Sequence, residues 1–224
     1  MTRGILLAGN ESSLSVAVAT EAAKRVERFG AALIPNRFAD PPGEKILPPG
    51  EALIPLVWNP GSPVSARTLL IAAENRLEHI NEALLICAPP VLRKFPEDLT
   101  SSEIELMVND HIKGWFFLVK ELSAHFKARQ AGILALVFSE PEISKDEPPD
   151  VLGPGASAAF RAFAENLTAG APREPFQIMG FSGPRSADPN AFGAFIFKTI
   201  EDGTKRNAGK WHKFGKSFFS RPRP

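Results

Sequence analysis

The chain has 224 residues, of which 44% are hydrophobic and 23% charged, the balance of an ordinary globular protein. No apolar run approaches the roughly 20 residues that cross a bilayer, and the start MTRGILLAGN lacks a signal-peptide pattern, so we expect neither membrane insertion nor secretion. The single cysteine, Cys87, excludes an internal disulfide framework and indicates a buried thiol in a reducing cytoplasm.

The net charge of +1 conceals an asymmetry between the body and the end of the chain. Seven of the 26 basic residues and no acid lie from Thr204 onward, so the remaining 19 basic residues stand against 25 acidic ones. Residues 204–224 are therefore predicted to form a basic C-terminal strand and tail on a mildly acidic body. Phenylalanine and tryptophan interleave with these basic residues, a pattern that also occurs on single-stranded nucleic-acid surfaces.

Apolar and amphipathic segments alternate along the chain. In chain order, the first half is predicted to contain a strand at 4–8, a helix at 14–29 that Gly30 ends, strands at 31–35 and 52–58, a helix at 65–77 and a strand at 83–88. A long helix at 103–128 follows, and Ser102 and Glu105 are predicted to form a capping box at its start. The remaining predicted elements are a strand at 132–138, a helix at 156–167, a strand at 175–181, a helix at 190–200 and a strand within 210–219. Proline-rich loops are predicted at 39–50 and 140–155. This alternation predicts a single α/β domain over 1–224, with a doubly wound, mostly parallel sheet of seven strands.

Four positions in this order carry a resemblance. Gly9 follows the first strand, Asn109 lies in the longest predicted helix, Ser139 ends the fifth strand, and Gly183–Pro184 follows the sixth. The chain resembles the short-chain dehydrogenase/reductase family over nearly its whole length. The resemblance implies a Rossmann-like fold and a site for NAD(H) or NADP(H).

The resemblance also implies which residues face the cofactor. Gly9 matches the first glycine of the phosphate-binding turn, while the second and third glycines are replaced by Ser13 and Ser15. These two hydroxyls can donate to a phosphate at the helix N-terminus, although Ser12 or Ser13 can equally serve as the helix cap. Arg37 matches the arginine that contacts the 2′-phosphate of NADP, which favours NADP over NAD, unless Arg37 is an ordinary surface residue. Asn59 takes the place of the aspartate near the adenine, and Cys87-Ala88-Pro89-Pro90 departs from the family's asparagine-asparagine-alanine-glycine.

The family's catalytic tetrad consists of asparagine, serine, tyrosine and lysine, and half of it is missing here. Asn109 and Ser139 match the first two, whereas Pro154 and Ala158 stand where the tyrosine and lysine belong; the whole sequence contains no tyrosine. Proline and alanine have no titratable proton, so neither can replace a general acid that contributes roughly 10²–10⁴-fold. The candidate substitutes are Glu140, His111, on a different side of the helix from Asn109, and Lys113, on the same side; each is also readily explained as an ordinary surface or helix-flank residue. The four histidines lack metal-ligand spacing, and no metal site is predicted.

Three functional hypotheses follow. The first is a divergent family member without the tyrosine-dependent activity, acting as a dinucleotide-binding or scaffold protein. The second is an atypical NADP(H)-dependent oxidoreductase that uses Ser139, and the third is a nucleic-acid-associated protein acting through the basic tail. We further predict a homo-oligomer through helices 103–128 and 156–169, because the consecutive aromatic residues 115–117 cannot all face one sheet.

Overall fold

The computed structural model describes residues 3–38, 52–141, 147–203 and 209–215. Its strands are β1 (Ile5–Asn10), β2 (Phe29–Ile34), β3 (Leu53–Pro55), β4 (Glu82–Cys87), β5 (Ile133–Glu140), β6 (Gln177–Pro184) and β7 (Trp211–Lys213). They form one sheet in the order β3-β2-β1-β4-β5-β6-β7, and every neighbouring pair runs parallel. This confirms the predicted doubly wound α/β fold.

Helices cover both faces of the sheet. They are α1 (Ser13–Ala23), α2 (Pro63–Leu77), α3 (Ser101–Val108), α4 (Gly114–Arg129), α5 (Leu152–Gly170) and α6 (Pro189–Asp202). Side chains of α2, α4 and α5 form one core cluster against the sheet, and side chains of α1 and α6 form the other. Successive residues of a strand point to opposite faces, so Leu6 enters the first cluster and Leu7 the second. Two covered faces explain why the central strands are continuously apolar.

Helix α1 ends earlier than predicted. The pattern predicted a helix that Gly30 terminates, but α1 stops at Ala23, and Gly30 lies within β2. Arg25 favours the early end because its guanidinium donates to the carbonyl oxygen of Glu21 at 2.8 Å and pairs with the Glu21 carboxylate at 2.6 Å. Gly30 is needed for packing, since a Cβ there would lie 2.7 Å from Cδ1 of Leu56.

The longest predicted helix is interrupted. A π turn, Asn109–Lys113, separates α3 from α4. The predicted capping box was wrong by two residues: Thr100 and Glu103 form it, with the Glu103 backbone N–H donating to Oγ1 of Thr100 at 3.2 Å. Both pairs have the spacing of a capping box, and the chain enters the helix at the earlier one.

The two edge strands of the sheet are β3 and β7. Pro55 ends β3, an edge strand, where a missing backbone donor is tolerated. The opposite edge is β7, inside the predicted C-terminal strand. Residues 204–208 and 216–224 of the basic tail, and the loop predicted at 39–50, lie outside the described residues.

Candidate functional site

The strand order reverses between β1 and β4, and their carboxyl ends bound a crevice of the kind in which ligands bind to doubly wound sheets. Asn10, at the end of β1, is buried and spans this crevice. Its Nδ2 donates to the carbonyl oxygen of Ala88 at 2.6 Å, and its Oδ1 accepts from the Ala88 backbone N–H at 3.2 Å. This amide clamp ties β1 to the segment after β4. Gly9 precedes it and permits close strand packing, since a Cβ there would lie 2.7 Å from the carbonyl oxygen of Ile86.

The N-terminus of α1 opens toward the same crevice. Ser12 is the N-cap, as one reading of the sequence had it, and its Oγ accepts from the Ser15 backbone N–H at 3.1 Å. Ser15 is fully buried, and its hydroxyl donates to the carbonyl oxygen of Asn10 at 2.7 Å. Donation from Ser15 to a phosphate would therefore require this bond to break. Ser13 is exposed, and its backbone N–H and that of Leu14 have no partner among the described residues.

A small pocket lies between α1 and the ends of β5 and β6. Its volume is about 60 Å³, and its lining includes Ser12, Ser13, Leu14, Ser139 and Arg185. Pockets that enclose a whole small-molecule ligand measure roughly 300–1,000 Å³. This pocket therefore accommodates one group of a ligand, such as a phosphate.

Arg185 gives this pocket a positive charge. Its Nη2 donates to the carbonyl oxygen of Pro89 at 3.0 Å, so the guanidinium reaches from the loop after β6 to the segment after β4. A fixed cation and a helix N-terminus both favour an anion. The sequence reasoning missed Arg185. The signal that points to it is its position directly after the sixth strand, because the carboxyl ends of parallel strands meet at one edge.

The positions predicted to correspond to the family's tyrosine and lysine lie at the start of α5. In the first turn of this helix, the Gly153 backbone N–H donates to Oδ1 of Asp150 at 3.1 Å. Pro154 follows in the first turn and is half-buried, and Ala158 lies one turn later, exposed. Residues four apart share one side of a helix, and at these two positions that side offers no group that can exchange a proton.

Asn109 and Asn59 both lie close to Gly61, in the loop that follows β3. Asn109 begins the π turn, where its Oδ1 accepts from Nζ of Lys113 at 3.3 Å, and its Cγ is 3.6 Å from the point a Cβ of Gly61 would occupy. Asn59 accepts from the Gly61 backbone N–H at 3.1 Å, closing a turn with its own side chain. Among the described residues no hydrogen bond joins Asn109 to Ser139. Of the predicted residues, Ser13 and Ser139 both line the pocket between α1 and the ends of β5 and β6.

Arg37 has a partner that the sequence reasoning did not identify. Its Nε lies 3.6 Å from Oδ2 of Asp110, the buried second residue of the π turn. Burial raises the pKa of Asp110, and the charge of Arg37 opposes that shift. The next residue, His111, is also buried, and its Nδ1 has no hydrogen-bond partner in the described part of the chain. Burial, and then the charge of Arg37, lower the pKa of His111 to about 4, so this imidazole is neutral at pH 7.

Neither a metal cluster nor a membrane span is found where the structure can be described. No group of three or more potential metal ligands occurs in those parts of the chain. None of the described helices has both the length and the apolar character needed to cross a bilayer.

No protein-family model matches the sequence, and no curated protein matches it. Solved structures do match the fold. The 3-ketoacyl-(acyl-carrier-protein) reductase from Brucella melitensis complexed with NADH has a TM-score of 0.76 at 12% identity, over 95% of this chain and 96% of that one. A short chain dehydrogenase from Mycobacterium smegmatis has a TM-score of 0.74 at 12% identity, over 96% and 92%. The NADH-dependent reductase A1-R′ complexed with NAD has a TM-score of 0.72 at 12% identity, over 95% and 94%. The chain therefore has the fold of the short-chain dehydrogenases.

Proposed function

We propose that this protein is a divergent short-chain dehydrogenase/reductase-like protein that binds a nicotinamide dinucleotide through its phosphates and lacks the tyrosine-dependent reaction. The observation that carries the binding is the pocket where Ser13, Ser139 and Arg185 meet the free N–H groups of α1. Two similar structures, at 12% identity, are complexed with NADH or NAD. The polar groups at this pocket fit a phosphate.

The absence of the reaction follows from chemistry at α5. Hydride transfer to a carbonyl requires a proton for the oxygen, and Pro154 and Ala158 cannot supply or relay one. Two polar side chains of the crevice also already have partners within the chain. Asn10 bonds to Ala88, and Ser15 bonds to Asn10. The protein thus acts as a binding or scaffold protein.

Among dinucleotides we propose a weak preference for NADP. Arg37 is 41% exposed at its side chain, and its described contact, with Asp110, is through Nε. Its remaining guanidinium N–H groups can donate to a 2′-phosphate in the two-pronged manner typical of arginine.

Calorimetry tests the proposal. The wild type is titrated with NAD, NADH, NADP and NADPH, and with a single-stranded oligonucleotide for the basic-tail hypothesis. Arg185→Ala is expected to weaken dinucleotide binding by roughly tenfold, the loss of one charge-assisted contact. Arg67→Ala, at an exposed arginine of α2, is the matched control and should bind as the wild type does. Equal affinity of the two variants, or binding of the oligonucleotide alone, would contradict the proposal.

The second candidate is an atypical NADP(H)-dependent oxidoreductase, which the position of Ser139 favours. Its hydroxyl lines the pocket and can donate to a substrate carbonyl oxygen. The proton would then come from another group, and His111, neutral at pH 7, is a poor donor. Turnover of NADPH with a panel of carbonyl compounds tests this candidate. Robust turnover that Ser139→Ala abolishes would establish the oxidoreductase and overturn the first proposal.

We also propose that the scaffold role involves a homo-oligomer through α4 and α5. Trp115 is buried, but Phe116 on α4 remains 51% exposed. Its ring lies 4.4 Å, centroid to centroid, from that of Phe163 on α5, so the two helices share an aromatic surface. A second copy that packs against this surface would remove it from water.

A further inference from the structure

An acidic side chain reaches the end of β2 from a distant part of the sequence. The chain provides no acid in the segment directly after β2, where Asn36 and Arg37 stand. The π turn instead brings the Asp110 carboxylate to 3.6 Å from Nε of Arg37. The guanidinium and the carboxylate are thus neighbours, although 73 positions separate them in the chain.

The environment of Asp110 is unusual for a carboxylate. It is 4% exposed, and no hydrogen bond to it occurs in the described part of the chain. Buried carboxylates are ordinarily both paired and hydrogen-bonded. Among the described residues, its ion-pair partner is the half-exposed Arg37, at a distance beyond a good hydrogen bond. Single π turns of this kind are frequent at functional sites.

We infer that Asp110 is a specificity-determining residue that disfavours the 2′-phosphate of NADP. This inference rests on the proposed function and concerns the adenosine end of the same ligand. A phosphate that contacts Arg37 must also lie close to the Asp110 carboxylate, and the two negative charges repel. The 2′-hydroxyl of NAD carries no charge and meets no such repulsion. Asp110 therefore opposes the advantage that Arg37 gives to NADP, in line with the weak preference proposed above.

The test uses probes that carry only the adenosine end, adenosine 2′,5′-bisphosphate and AMP, together with NADP and NAD. Affinities are measured by calorimetry for the wild type, Asp110→Asn, Arg37→Ala and the double variant. Glu105→Gln, which removes an exposed carboxylate from α3, is the control for net charge. Asp110→Ser is the second variant if the asparagine variant does not fold, as judged by circular dichroism and thermal unfolding.

Asp110→Asn is expected to raise the affinity for NADP and for the bisphosphate by roughly tenfold or more, with AMP and NAD unchanged. Arg37→Ala in the same background should abolish the gain, and Glu105→Gln should produce none. An unchanged NADP-to-NAD ratio in Asp110→Asn, or a gain that persists without Arg37, would overturn the inference and leave dinucleotide binding intact. Absence of binding by every probe to every variant would instead refute the proposed function, and the inference with it.

Discussion

Replacement of Asn10 by alanine tests whether the amide clamp stabilises the fold at the crevice. The Asn10 side chain makes two hydrogen bonds to the backbone of Ala88, at 2.6 and 3.2 Å, and both are buried. The alanine variant leaves one donor and one acceptor of Ala88 without partners, at roughly 1–3 kcal/mol each. We therefore expect the free energy of unfolding to fall by about 2–6 kcal/mol. For a chain of this size that corresponds to a melting temperature roughly 5–20 °C lower.

Urea unfolding followed by tryptophan fluorescence and by circular dichroism measures this loss, and coincident transitions justify a two-state treatment. Asn166→Ala is the matched control, because that side chain also makes a hydrogen bond, to the carbonyl oxygen of Ala162 at 2.8 Å, but on the exposed surface of α5. The control should cost less than about 1 kcal/mol. If Asn10→Ala costs no more than Asn166→Ala, the clamp contributes nothing beyond a surface contact and the reasoning is wrong.

Three further predictions concern packing, charge and assembly. Gly114→Ala should lower the free energy of unfolding by about 1–3 kcal/mol, because the new Cβ would lie 2.4 Å from Cβ of Pro60. Gly155→Ala should raise it by roughly 0.5–1 kcal/mol, because the new Cβ meets no neighbouring group within 4 Å. Urea titrations that rank the two variants the other way would refute the packing argument. The folded state holds the pKa of His111 at about 4, below the unfolded value of about 6.5, so the folded protein binds fewer protons than the unfolded chain. The free energy of unfolding should therefore fall by about 3 kcal/mol as the pH is lowered from 6.5 to 4. Urea unfolding at several pH values should show that His111→Gln removes this dependence and that the control His79→Gln, at an exposed histidine, keeps it. Phe163→Glu should dissociate the proposed oligomer in sedimentation at micromolar concentration, whereas a wild type that already sediments as a 24.3 kDa monomer would contradict the assembly.

The order of strands and helices could be predicted because each element carries its own periodicity. Continuous apolar runs such as ALLICA mark strands covered on both faces, and the helical stripe through α4 marks the face that packs on the sheet. The ends of elements were less predictable. A glycine such as Gly30 is typical of a helix end, yet here the side chain of Leu56 leaves no room for a Cβ at this position. No local pattern reveals this contact, because Leu56 lies 26 residues further along the chain.

The site was predictable only in its outline. The resemblance directed attention to Ser139 and Ser13, which line one pocket. It did not include Arg185, although the position of that residue directly after β6 points to the edge of the sheet where the site lies. It could not reveal Asp110, which reaches Arg37 through a π turn whose geometry depends on tertiary packing. The ion pair of Asp110 with Arg37 joins two segments that local periodicity treats separately.

The polar groups of the crevice also bear on how strongly any ligand can bind. In a glycine-rich turn, the N–H groups at the start of the first helix are left for the phosphates of the ligand. Here the Oγ of Ser12 accepts from the Ser15 backbone N–H, and the Ser15 hydroxyl donates to the carbonyl oxygen of Asn10. Some of the groups that could bind a phosphate are therefore already hydrogen-bonded within the chain. Among the described residues, the groups left for a phosphate at the pocket are the N–H groups of Ser13 and Leu14, the side chains of Ser13 and Ser139, and the Arg185 guanidinium. A ligand that bonds only to these groups leaves the internal hydrogen bonds intact, and its gain is limited to the few contacts that it adds. The fold therefore does not depend on the ligand for its stability, and we expect dinucleotide binding to be weak and governed by charge, with an affinity that falls as salt is added.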